Sequence, residues 1–141
     1  MTLIHTLSLN AAGLLICAGL STTAIAASPE PASGYSTKYD SCMAATSTTG
    51  GMVECVAAET KRQDERLNAN YQLALKSLDA QKRKALQGVQ RLWIQFRDAD
   101  CALESGLTGG TIDRINAQTC LLQATQVRAD ALAARFQPQD Q

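Results

Sequence analysis

Histidine is almost absent from this chain: among 141 residues there is one, His5. Aromatic residues are few, with one tryptophan, two phenylalanines and three tyrosines, and there are three prolines. Neither sign of charge is in excess, since 13 Lys and Arg stand against 13 Asp and Glu. Each scarcity excludes something. If the first residues are removed as a leader, His5 goes with them. No imidazole then remains for a Ser-His-Asp or Cys-His site, or to bind a metal. Balanced charge argues against a dedicated nucleic-acid binder, which needs a basic excess to displace counterions. No phosphate loop or dinucleotide fingerprint is present, so no cofactor is expected. So few large side chains can support one modest core.

What the chain has begins with an export signal. Ala11 to Leu20 is nearly all apolar or small, and Ala24-Ile25-Ala26 fits the small-x-small cleavage rule, which places the cut after Ala26. The charged part of the signal is weak, with no Lys or Arg in the first ten residues. The apolar run is too short for a stable span and no later stretch could serve, so the mature chain is expected to have no transmembrane segment. Cys17 follows the bulky Ile16, where a lipoprotein signal wants a small residue, and this speaks against lipidation. The expected location is periplasmic or secreted. Residues 1–26 read as the signal peptide, 27–41 as a flexible leader, 42–137 as a helical domain and 138–141 as a polar tail.

Three helices are expected in the domain. The first starts near Met52, with its apolar row resuming through Leu67, Tyr71, Ala74, Leu75 and Leu78. Asp64 and Asn68 share a face with Leu67 and Tyr71, which sets polar groups beside the row. Ser77 or Asp79 can cap a second helix from Ala80 to Leu103. Its expected core face is Leu86, Val89, Trp93 and Phe96, widened by Leu92. Gly88 inside it costs ~1 kcal/mol against Ala unless a neighbour packs closely there. Gly106 is a plausible cap and Gly109-Gly110 a turn. Thr111 can then open a third helix from Ile112 to Phe136, facing inward through Ile112, Ile115, Thr119, Leu122, Ala129, Leu132 and Phe136. The fold class that results is all-α: a small disulfide-linked bundle of three main helices, preceded by a signal peptide and a flexible leader.

Removing the leader also removes Cys17 and leaves Cys42, Cys55, Cys101 and Cys120. An even count in a small exported chain reads as a disulfide framework. Three connectivities are open. Turn-rich segments favour Cys42–Cys55 and Cys101–Cys120, each closing a loop of ~15–20 residues that contributes roughly 3 kcal/mol. Cysteine spacing does not suit zinc, and no metal is expected.

The chain is organised around Arg91 to Cys101, which holds the only tryptophan. Several blocks run in order: Cys55, Asp64-x-x-Leu67-Asn68-x-x-Tyr71, Trp93-Ile94-x-Phe96-Arg97-Asp98-Ala99-x-Cys101, Gly109-Gly110, Cys120-Leu121, Thr125 and Arg128. Together they resemble the LprI-type lysozyme-inhibitor family of small exported bacterial proteins. The resemblance implies a helical, disulfide-linked, exported protein that binds and does not catalyse. Its implied partner is lysozyme, blocked by occlusion of its cleft. The alternative is an envelope module that binds another exported protein without inhibiting lysozyme.

Two further expectations concern charge. Arg97 and Asp98 diverge on a helix, so Arg97 is expected to reach Asp64 while Asp98 faces Arg128 or solvent. Asp98, Asp100, Glu104 and Asp113 crowd the Gly-Gly end, while Lys82, Arg83 and Lys84 open the same helix. This order opposes the helix dipole. The acidic end is therefore a candidate surface for a cationic partner. Asp98 and Asp100 diverge too far to act as paired glycosidase carboxylates, and no catalytic residue is expected.

Overall fold

The computed structural model describes residues 34–136. The signal peptide, its cleavage point, the first part of the leader and the polar tail lie outside the described residues. The described residues form four helices, not the expected three: α1 (Thr37–Ala44), α2 (Thr49–Ser77), α3 (Ala80–Leu103) and α4 (Ile112–Phe136). The additional helix, α1, begins inside the stretch assigned to the leader. Ser36 caps it by accepting the Tyr39 N–H at 3.2 Å. Cys42 within it bonds to Cys55 on α2, with Cα atoms 5.7 Å apart. Glu59 holds the cap itself, accepting from Ser36 Oγ at 2.6 Å. Tertiary anchors thus stabilise a helix that buries no residue of its own.

The bundle is built on α2 and α4. Arg66 bonds to Asp130 at 2.6 Å, and Asn70 donates to the Ala129 carbonyl at 2.9 Å. Leu67, Ala74, Ala129 and Leu132 are buried between the two helices with Leu86 of α3, and Tyr71, Leu75, Leu78, Trp93 and Phe136 pack around them. Late α2 meets late α4, so these helices run the same way and α3 returns alongside.

The junction of α2 and α3 contains neither Gly nor Pro. Leu78 is extended, and Asp79 starts the next helix by accepting the Lys82 N–H at 2.8 Å. Arg83 folds back to donate to the carbonyls of Leu75 at 2.9 Å and Leu78 at 3.0 Å. One side chain thereby satisfies oxygens that the end of a helix leaves unpaired. Between α3 and α4, Gly106 and Gly109 take φ of 123° and 73°, the left-handed region that glycine enters without strain.

The rotation of α3 corrects the expected core face. Val89, Leu92 and Phe96 are exposed, at 50%, 67% and 66%. The inward line is Leu86, Gln90, Trp93, Arg97 and Cys101, of which Leu86, Gln90 and Cys101 are buried. The cause is covalent. Cys101 bonds to Cys120 on α4, with Cα atoms 5.4 Å apart. That bond turns the Cys101 side of α3 toward α4, and residues three and four positions apart follow it. Phe96, one position from Arg97, is turned out. On α4, Ile112 is likewise 48% exposed, while Asp113, Ala117 and Thr125 join Leu122, Ala129 and Leu132 inside.

Candidate functional site

The polar centre of the molecule lies between α3 and α4, around the single tryptophan. Trp93 is half-buried and carries two guanidinium groups: Arg97 at 5.0 Å from the ring centroid and Arg128 at 5.7 Å. Such cation–π contacts are favourable where water is partly excluded. Arg128 donates from Nε to Gln90 Oε1 at 3.0 Å, and its Nη2 is buried without a hydrogen-bond partner. Burial, and then the charge of Arg135, push the Arg128 guanidinium below its usual pKa. It stays charged nonetheless, because arginine starts so high.

Arg97 does not reach Asp64. Its Nε and Nη2 donate to Asp98 Oδ1 at 2.9 and 2.8 Å, and Nη1 donates to Thr125 Oγ1 at 3.4 Å. Asp64 is exposed and accepts from Asn68, also exposed, at 3.0 Å. The structure thus brings Trp93, Arg97, Asp98 and Arg128 together, sets Tyr71 against the adjacent core, and leaves Asp64, Asn68 and Phe96 outside the cluster.

Sequence reasoning missed three polar groups. Gln90 holds Arg128, and Asn70, two residues beyond Asn68, spans α2 and α4 from a buried position. Glu59 is the third. It accepts from Ser36, from Arg62 at 2.7 Å and from Gln63 at 2.8 Å. Its place in the apolar row with Val56 was the signal: a carboxylate in such a row needs donors if it is to stay charged.

The acidic end separates into parts. Asp113 is buried, and its carboxylate accepts from Thr108 Oγ1 at 2.7 Å, the Thr108 N–H at 3.1 Å and the Gly109 N–H at 2.9 Å. The Thr108 hydroxyl does most to hold its pKa below the usual carboxylate range, against the opposing effect of burial. Asp113 therefore fastens the loop. Asp98 is committed to Arg97, while Asp100 is exposed and Glu104 half-exposed, with Arg114 exposed nearby on α4.

At the opposite end, a cavity of about 360 Å³ opens between α3 and α4. Leu86, Leu132 and Phe136 contribute apolar walls, and Lys82, Arg128 and Arg135 also line it. Among the described residues, no group of three His, Cys, Asp or Glu side chains is placed to hold a metal ion, and all four cysteines are in disulfides. No described helix is long and apolar enough to cross a membrane.

No curated protein and no solved structure matches the chain. The model of the family described as lysozyme inhibitor LprI matches residues 42–132, which take in both disulfides and the Trp93 cluster. The chain belongs to this family.

Proposed function

We propose that this protein is exported and inhibits lysozyme by binding across its cleft, without chemistry of its own. The observation that carries the reading is the family match over residues 42–132. Two cystines in so small a domain suit an oxidising compartment. Asp100 and Glu104 offer carboxylates at the loop end, where a cationic enzyme would be drawn by long-range attraction. Asp98 adds to that field from its pair with Arg97, and Asp113 fastens the Thr108–Gly109 loop that follows the surface.

A turbidity assay of cell-wall digestion with several lysozyme classes tests the reading. Dose-dependent protection is expected with at least one class. No protection at high molar excess would remove it and leave an envelope interaction module. The Asp100→Asn and Glu104→Gln pair of changes is expected to slow association at low salt.

A further inference from the structure

Helix α3 turns Leu86, Gln90, Trp93, Arg97 and Cys101 inward and leaves an apolar row facing outward. Ala85, Val89, Leu92, Phe96, Ala99 and Leu103 follow one another at alternating steps of four and three, and all six are exposed. This is the spacing of a coiled-coil seam, maintained through a 24-residue helix. Leu92, Phe96 and Leu103 are each about two-thirds exposed, which is unusual for side chains of this size on one helix face.

We propose that the row pairs with itself: two copies associate through antiparallel α3 helices. Three observations identify the occupant as a second copy. The first is register. A symmetric antiparallel pair sets Leu92 opposite Phe96 of the other copy, Val89 opposite Ala99, and Ala85 opposite Leu103. Each large residue thus meets a partner, and the small Ala85 stands across from the most exposed leucine of the row.

The second is shape. Ala85 and Val89 line the 360 Å³ cavity between α3 and α4. In this register Leu103 of the other copy arrives at its mouth, where Leu86, Leu132 and Phe136 supply apolar walls. Twofold symmetry fills both cavities at once, as an isologous contact requires.

The third is charge. Lys82, Arg83 and Lys84 open α3, and Asp98, Asp100 and Glu104 stand at its end, an order that opposes the dipole of a lone helix. Antiparallel pairing lays the basic start of each copy beside the acidic end of the other. Glu104 then comes to the cavity rim formed by Lys82 and Arg135. Lys82 already has Asp79 at 3.3 Å, and among the described residues Arg135 forms no ion pair.

The helix is about 36 Å long, so the contact buries on the order of 1,000 Å², the lower end for a specific interface. A micromolar, salt-sensitive dimer is expected. The inference does not depend on lysozyme binding and is tested on the purified mature chain alone.

Sedimentation equilibrium across a concentration series decides it. Wild type is expected to pass from monomer to dimer. The double change Leu92→Glu with Phe96→Glu is expected to remain monomeric with unaltered helix content, since both side chains are exposed in the single chain. Arg135→Glu and Glu104→Lys are each expected to weaken association about tenfold, the loss of two charge pairs per dimer. An equimolar mixture of those two variants is expected to recover association, because each restores the pair the other lost. A wild type that stays monomeric at the highest concentration overturns the proposal. So does a Leu92→Glu, Phe96→Glu protein that still dimerises, or a mixture that fails to recover.

Discussion

Glu59 fastens Ser36 across 23 positions of sequence, accepting from its hydroxyl at 2.6 Å and from its backbone N–H at 3.3 Å. Because Ser36 is also the cap of α1, the carboxylate joins the start of one helix to the buried face of another. Arg62 and Gln63, three and four residues on, complete the set of donors.

Burial pushes the Glu59 carboxyl up, but the hydrogen bonds from Ser36, Gln63 and Arg62 together outweigh it and hold it below its ordinary value. A carboxyl depressed in the folded state stabilises above its unfolded pKa. That contribution is lost as pH falls through the folded value. Glu59→Gln is therefore expected to destabilise at neutral pH, by about 1–3 kcal/mol for disturbed buried hydrogen bonds, and to flatten the acid limb of the stability curve. Urea melts from neutral to acid pH read both effects. An acid limb as steep as that of wild type would show that Glu59 is not the group responsible.

The two cystines have separable tasks. Cys42–Cys55 fastens only α1 to α2, whereas Cys101–Cys120 fixes both the position and the rotation of α3. Each closes a short loop and is expected to contribute roughly 3 kcal/mol. Replacing Cys101 and Cys120 with Ala should cost that much and also release α3. In hydrogen exchange, amides of Ala80–Leu103 are expected to lose protection while the α2–α4 pair retains it. Replacing Cys42 and Cys55 should expose α1 alone. Equal loss across α2 and α4 in either variant would contradict this division.

Much of the scaffold was legible in the sequence because helix ends are written in local chemistry. Asp79 caps α3 through its own side chain, and Gly106 marks the turn that follows. The cysteine pairs were legible because each brackets a turn. Helix α1 was not, for it has no apolar row, and what orders it comes from Glu59 and Cys55 far along the chain. The rotation of α3 was hidden for another reason. Leu86 and Trp93 do face inward, but their line is continued by Gln90, Arg97 and Cys101, whereas hydrophobic spacing continued it through Val89, Leu92 and Phe96, which are exposed. The Cys101–Cys120 bond decides between the two. The charge pairing within the site failed similarly: Arg97 finds Asp98 beside it before it can reach the exposed Asp64.

Trp93 and Arg128 are expected to respond to substitution unequally. Trp93 supports both Arg97 and Arg128, so Trp93→Ala removes packing and two cation–π contacts together. For a half-buried ring the expected cost is about 2–3 kcal/mol. Arg128→Met removes a buried charge whose Nη2 lacks a hydrogen bond while keeping a long apolar stem. Exchange of a buried ion for an apolar side chain of similar length is commonly neutral or stabilising, so a change within about 1 kcal/mol of wild type is expected. Thermal melts rank the two, and Trp93 fluorescence in Arg128→Met reports whether the ring stays shielded. A loss in Arg128→Met as large as in Trp93→Ala would mean that the guanidinium, not the ring, holds α3 to α4.

Gly88 offers a stabilising change. It lies inside α3 with ordinary helical backbone, and the nearest atom a new Cβ would meet is Arg91 Nη2, the far end of a flexible side chain, at 4.0 Å. The close approach of a neighbouring helix, which would justify a glycine here, is not what the fold provides. Gly88→Ala should therefore recover the helix-propensity difference, up to ~1 kcal/mol, by restricting the unfolded chain and shielding helix backbone. Denaturant melts at low protein concentration isolate this effect from any self-association, because a dimer would add a concentration-dependent term. A higher midpoint with an unchanged slope is the expected result. A lower midpoint would show that α3 needs the freedom of glycine at this point, and would place a close contact there that the fold does not show.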